Sequence, residues 1–403
     1  MVAGGMAARS PHLATLMIAS GLSVLSLNMF LPSLPQIARD FDVGFATASW
    51  AVSGYLALTA VLQLLAGPIS DRVGRRPVVL FSFAAFAILS ACCALAQSFE
   101  WFLAARMLQG VIISCSTMAL ASVRDTSDVG DAAQRISWVS MGMAVGPMIG
   151  PAIGGLLDAA FGWRATFWFL SAGGAILFIV ALIDWTETNL NRTSSFGAQF
   201  RAYPTLLASG TFWSFAGVAV CGIGCFFIFI SGAPLVADKV LNISTAELGI
   251  AIGIITMGYF FGNAVSARIT KRVGLGPMVV AGRALQVAAI TTNLILLAVG
   301  VFDPLSFFGL MSLVGFGNGL ANPSAQTGLM SVNSALSGSA AGLAGALVLA
   351  FGAVFTALSA RLIEAGPPAA TLLFTMLAVA FVGLLCALSA YRLSNAASSA
   401  SKT

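Results

Sequence analysis

An all-α membrane protein, with twelve transmembrane helices in two pseudo-symmetric six-helix halves, is predicted by three observations on this sequence. First, 59% of the 403 residues are apolar and only 8% are charged, where a soluble domain carries about 25% charged residues. With a mean hydropathy of +0.96, the chain has too little polar surface to coat a water-soluble globule. Second, the apolar runs are continuous over roughly 20 residues, whereas the strands of a membrane barrel alternate over about ten. Third, DRVGRRP at 71–77 realigns with KRVGLGP at 271–277, so that Arg72, Val73, Gly74 and Pro77 each recur 200 residues later.

The same composition excludes whole classes of function. A soluble enzyme is ruled out, and the formal charge of +5 is scattered singly, without the basic run that grips phosphate in a nucleic-acid binder. The six cysteines, Cys92, Cys93, Cys115, Cys221, Cys225 and Cys386, fall inside apolar runs and read as small fillers. Without His or acid beside them they complete no metal site, and no metal or cofactor is expected.

Hydropathy places the spans at about 13–31, 46–66, 78–96, 101–123, 133–157 and 163–183, then at 207–229, 248–267, 278–301, 305–330, 336–360 and 369–390. The first is read as a retained span, because NMFLPSLP follows it without a small-residue cleavage site. The longest polar stretch, about 184–209, divides the chain. The expected organisation is an N-terminal bundle at 1–185, a cytoplasmic linker at 186–209 and a C-terminal bundle at 210–403.

Counting basic residues tests the topology. With both termini cytoplasmic, the inner side holds thirteen, Arg9, Arg72, Arg75, Arg76, Arg124, Arg135, Arg192, Arg201, Arg268, Lys271, Arg272, Arg392 and Lys402. The outer side holds four, Arg39, Arg164, Lys239 and Arg361, and Arg106 and Arg283 lie within or near spans. This asymmetry follows the positive-inside rule. Two related halves around a central cytoplasmic loop form a transporter layout, with the binding site expected at mid-membrane between them.

Three motifs carry the chemistry. Between spans two and three, Gly67-Pro-Ile-Ser-Asp71-Arg72-Val-Gly74-Arg75-Arg76-Pro77 combines a tight turn at Gly74 with an acid and three arginines, a charged latch at the inner surface. In span five, Gly142, Gly146, Gly150 and Gly154 recur every fourth residue, with Pro147 and Pro151 among them. Such a stripe lets another helix approach closely, while the prolines free backbone carbonyls and bend the helix. In span four, Arg106, Gln109 and Gly110 put a guanidinium roughly 8 Å in from Trp101. A charge at that depth either snorkels or finds a partner, and marks a functional site by default.

These segments resemble the major facilitator superfamily. The first matches its G-x-x-x-D-R-x-G-R-R signature, the second the G-x-x-x-G-P-x-x-G-P motif of its antiporters, and the third its R-x-x-Q-G. LNMFLPSLPQIA in span one, SVRD ending span four, FGWRATF opening span six and FFIFISGAP leaving span seven resemble the bicyclomycin and chloramphenicol resistance family of drug:proton antiporters. The resemblance implies a monomeric inner-membrane exporter exchanging a small molecule for protons across the bilayer. It implies that the latch of Asp71, Arg72, Arg75 and Arg76 stabilises the outward-facing state. It also implies that span five seals against span eight, whose Gly249, Gly253, Gly258 and Gly262 would receive it, and that Arg106 serves proton transfer. By the same resemblance, Gly146 and Pro147 would carry the gating role.

One departure stands out. Where those antiporters usually carry an acid before Met29, this chain has Asn28. No acid falls mid-span, so coupling is expected either from a boundary acid such as Asp125 or by another route. A cavity without a buried acid has nothing to compensate a permanent cation, whereas Asn28, Asn263, Asn318 and Asn322 can hydrogen-bond a neutral solute. Phe226, Phe227, Phe229 and Tyr259 are candidates for apolar walls. The expected cargo is therefore small, amphipathic and neutral or weakly charged. An endogenous metabolite or siderophore-type molecule with other coupling, or a receptor that does not transport, would fit the same fold.

Overall fold

Proline placement shapes the first helix. In the computed structural model, which describes residues 10–189, 203–331 and 337–400, the helix Leu13–Asn28 ends and is followed by a short 3-10 turn, Leu31–Ser33, and a helix, Leu34–Asp40. Pro32 and Pro35 stand in the first turns of these two pieces, where their missing N–H groups would have no helical partner in any case. The span therefore runs on to Asp40, nine residues beyond the predicted end at 31.

Twelve helices among the described residues are long and apolar enough to cross a membrane. They are α1 (Leu13–Asp40), α2 (Phe45–Val73), α3 (Arg75–Leu95), α4 (Phe99–Thr126), α5 (Gln134–Phe161) and α6 (Arg164–Asp184). The second half has α7 (Gly210–Leu241), α8 (Thr245–Thr270), α9 (Leu275–Ala298), α10 (Pro304–Ser331), α11 (Ser339–Ala365) and α12 (Pro368–Leu393). No strand occurs among the described residues. FFIFISGAP lies inside α7 rather than leaving it, because Pro234 is accommodated within the helix Gly210–Val236, which a π turn then extends to Leu241. Of the linker 186–209, residues 190–202 lie outside the described residues, as do Arg9, Arg192, Arg201 and Lys402.

Each half repeats the same pairings: first helix on fifth, third on sixth and second on fourth, α1 on α5 being matched by α7 on α11 and α3 on α6 by α9 on α12. The repeat seen in sequence has a backbone counterpart. Gly74 (φ 110°, ψ 159°) and Gly274 (φ 92°, ψ 165°) both separate the second and third helices of their halves in a conformation open essentially to glycine alone. The halves meet along α2 with α11 and α5 with α8. Below, "linker end" means the membrane face carrying Gly74 and Gly274, and "far end" the opposite face.

Candidate functional site

At the linker end the latch is built within the N-terminal half. Asp71 pairs with Arg75 at 2.9 Å, and Arg75 Nε donates to Asp125 at 3.2 Å. The Arg75 backbone N–H donates to Glu187 at 2.9 Å, and the Arg76 guanidinium donates to the Leu182 carbonyl at 2.9 Å. Asp125 is thus a paired group at the end of α4, and it also accepts from Thr188 at 3.3 Å.

The far end is where the halves are bonded together. Arg39 pairs with Asp238 at 3.0 Å, and Glu364 accepts from the backbone N–H groups of Phe45 and Ala46 at 2.7 and 3.1 Å, capping the start of α2 from α11. Such a carboxylate complements the free N–H groups and positive dipole of a helix N-terminus.

Close packing of α5 on α8 continues this closure toward mid-depth, with Gly249 and Gly253 placed as expected and the other glycines not. The stripe Gly142, Gly146, Gly150 and Gly154 faces α1: a methyl group at Gly142 would lie 2.6 Å from the Met17 oxygen, and one at Gly146 would lie 2.9 Å from the Leu25 nitrogen. Gly154 receives the Met29 carbonyl, where α1 breaks. The contact with α8 is made on another side of α5, where Gly155 faces Thr245, and Gly249 and Gly253 face the backbone at Pro151 and Met148. Gly258 and Gly262 turn instead to α10, against Ser312 and Phe316.

The prolines have a definite consequence here. Pro151 has no N–H to offer the carbonyl four residues earlier, and that carbonyl, of Pro147, accepts at 3.2 Å from the Thr256 hydroxyl of α8, whose single hydrogen it shares with the Ile252 carbonyl at 3.1 Å. A proline in one half thereby creates an acceptor for the other. Thr256→Val should remove this bond while keeping the shape, costing about 1 kcal/mol of inter-half closure. Cross-linking of cysteines introduced at the far ends of α5 and α8 should slow by roughly fivefold at that cost, and an unchanged rate would refute the role of the bond.

Between the halves at this level lies a cavity of about 180 Å³. Pro147 and Ala144 of α5 meet Phe226 and Phe229 of α7, Thr256 and Tyr259 of α8, and residues of α9, α10 and α12. Its wall is mostly apolar, with polar groups from Thr256, Tyr259, Gln286 and Asn318. Of the residues predicted from sequence to line it, Phe226, Phe229, Tyr259 and Asn318 do so. The structure places the others behind the wall. Phe227 packs on Gly352; Asn263 donates to the Tyr259 carbonyl at 3.1 Å; and Asn322 donates to the Tyr259 hydroxyl at 3.0 Å, fixing that ring from behind. Asn28 is 1% exposed, donates to the Val24 carbonyl at 2.8 Å and lies beside Gly150, away from the cavity.

Arg106 does not snorkel. It is fully buried, its guanidinium held 4.3 and 4.2 Å from the ring centres of Phe30 and Tyr55. It donates to Gln109 Oε1 and, at 2.9 Å, to the Ser26 carbonyl. Gln109 in turn donates to Ser90, and Gly110 lets α2 approach at Thr59. The R-x-x-Q-G motif thus ties α1, α2, α3 and α4 together around one cation.

Sequence reading passed over a second such group. Arg283 of α9 is fully buried and donates to Gln286, to Asn318 Oδ1 at 3.1 Å and to the Val218 carbonyl at 2.7 Å. The signal was present: Arg283 and Gln286 repeat the i, i+3 spacing of Arg106 and Gln109.

The model of the Major Facilitator Superfamily matches residues 16–355. The chain belongs to this superfamily. It is 30% identical over 312 residues to a chloramphenicol resistance protein of Pseudomonas aeruginosa, covering 77% of this chain and 74% of the relative. To multidrug resistance protein D of Escherichia coli (strain K12) it is 27% identical over 367 residues, covering 89% and 90%. Among solved structures, a bacterial homologue of the human lysosomal transporter Spinster, inward-facing and unoccupied, superposes with a TM-score of 0.74 at 18% identity, covering 95% of this chain and 96% of that one. This superfamily member is a multi-pass inner-membrane transporter of small molecules, and its family and fold are those of transporters rather than enzymes.

Proposed function

We propose that the protein exports a small amphipathic compound, neutral or weakly charged, by alternating access, in exchange for protons and as a monomer, with both termini and the linker in the cytoplasm. The cavity carries this reading, because it lies between halves whose described bonds to each other cluster at the far end and at mid-depth. Apolar walls with a few hydrogen-bonding groups suit a small amphipathic guest. At about 180 Å³ the cavity exceeds the 150 Å³ void that holds benzene but falls short of the roughly 300–1,000 Å³ of drug-sized sites. A larger compound therefore requires the walls to part, as they do when the halves rock. The drug-resistance proteins of similar sequence support the outward direction.

The test is a resistance and accumulation panel in a strain lacking its own efflux pumps, with and without a proton uncoupler. Expression should lower accumulation of at least one neutral amphipathic compound, and the uncoupler should restore it. Unchanged accumulation across the panel would count against export, and loss insensitive to the uncoupler would count against proton exchange. Within this cycle the latch biases a global state without touching the substrate. Asp71→Asn, which leaves Asp125 as the carboxylate that the Arg75 guanidinium pairs with among the described residues, should lower the maximal rate about tenfold with the half-saturating concentration changed less than about twofold. The opposite split would refute it.

A further inference from the structure

Among the described residues two arginines, Arg106 and Arg283, are buried, and they are housed differently. The Arg106 guanidinium lies against the rings of Phe30 and Tyr55, and the orphan charge is met by their π faces. Among the described residues no ring covers Arg283. Its acceptors, the Val218 carbonyl, Gln286 and Asn318, are all neutral, as are those of Arg106, and its Nε, like that of Arg106, has no hydrogen-bond partner among the described residues. The titratable groups nearest it are Cys221, Cys225, Cys386 and Tyr259, with no carboxylate among them.

The cavity adjoins this cation. Gln286 and Asn318, two of its three acceptors, line the wall, and so does Gly222, where a methyl group would overlap the guanidinium itself. The absence of a side chain at Gly222 thus leaves room for the guanidinium against α7, directly behind the cavity wall that Gly222, Gln286 and Asn318 form. A guanidinium buried in a membrane protein without an anion is costly, and the cost is relieved when an anion arrives.

Resting on the reading of this cavity as the substrate site, we infer that the transported compound presents an acidic oxygen, a carboxylate, phenolate or enolate, to Arg283, with its apolar body among Phe226, Phe229 and Met311. Gln286 and Asn318 hold the planar fork in place, and Asn318 can swing its amide toward the same oxygen. The inference narrows the cargo from neutral or weakly charged to weakly acidic, and it sets substrate recognition on the C-terminal half, opposite the Arg106 knot.

The experiment measures binding of 4-chlorobenzoate, 4-chlorobenzamide and 4-chlorobenzylammonium to the purified full-length protein in nanodiscs at pH 7.5, by equilibrium dialysis. The three share one ring and differ in charge. Wild type should bind the benzoate at least tenfold more tightly than the amide, and the ammonium most weakly. Arg283→Gln should remove the preference for the acid over the amide. Asn318→Asp, which supplies an anion from within and keeps the guanidinium paired, should remove the same preference even if Arg283→Gln does not fold. Equal binding of acid and amide by wild type, no binding of either, or a preference that survives Asn318→Asp overturns the inference. The export panel is independent of this result: a protein that exports only neutral compounds would retain the proposed function and lose the acidic-substrate assignment.

Discussion

Replacing Gly249 with leucine should cut transport roughly 100-fold in a protein of unchanged stability, whereas Gly146→Leu should lose stability. The difference follows from which backbone each glycine meets. A methyl group at Gly249 would lie 2.9 Å from the Pro151 carbonyl carbon, across the boundary between halves. One at Gly146 would lie 2.9 Å from the Leu25 nitrogen, inside the N-terminal bundle. Overpacking costs about 1–3 kcal/mol where side chains can give way, and backbone gives way least. About 3 kcal/mol set against the far-end-closed state at Gly249 shifts its population roughly 100-fold. Transport should fall by about that factor while each half keeps its packing. The same cost inside one bundle lowers the melting temperature by about 10 °C. Thermal unfolding and vesicle flux on both variants check this, and a stable, active Gly249→Leu protein would mean that the cycle does not need α5 and α8 in contact.

These two glycines also mark how far the sequence reaches. A four-residue glycine period says that a backbone comes close, and the structure agrees; it does not say whose backbone, because spacing defines a helix face and not the neighbour. The resemblance supplied α8 as that neighbour, and for Gly142, Gly146, Gly150 and Gly154 the neighbour is α1. Helix number and the duplicated turn at Gly74 and Gly274 were legible, since hydropathy and an obligatory positive φ are written locally. The ends of α1 and α7 were not, because Pro32, Pro35 and Pro234 read as stops although each has a place where a missing N–H is tolerated. Within the candidate site, Phe226, Phe229, Tyr259 and Asn318 were found by residue type, whereas Asn263 and Asn322 serve the Tyr259 segment. Which side of a helix faces a cavity depends on helix rotation, and uniformly apolar spans carry little information about that.

Arg106→Lys, conservative in charge, should be damaging. The guanidinium is flat, and the structure uses that flatness: Phe30 lies 4.3 Å and Tyr55 4.2 Å from its carbon, while its edge donates to Gln109 and to the Ser26 carbonyl. An ammonium is a point charge on a flexible stem; it cannot present a broad face to a ring while it also donates along the edge to α1 and α4. Desolvated cation–π contacts are worth about 2 kcal/mol each, so losing half of two such contacts costs about 2 kcal/mol, or roughly 4–8 °C of melting temperature. Arg106→Gln removes the charge and leaves the Ser26 carbonyl and Gln109 without their donor, and should cost about 3 kcal/mol. Transport separates the two roles open to this residue. If the knot of α1, α2, α3 and α4 serves only to hold the bundle, flux per folded molecule should survive in the lysine variant at low temperature. If Arg106 takes part in moving protons, as the R-x-x-Q-G resemblance implies, flux should fall about tenfold or more even where the protein is fully folded, and its pH profile should shift relative to wild type. Melting curves and flux across pH 6 to 8 on the same preparations decide between them. A lysine variant equal to wild type in both would show that charge at this depth suffices and that the ring contacts are incidental.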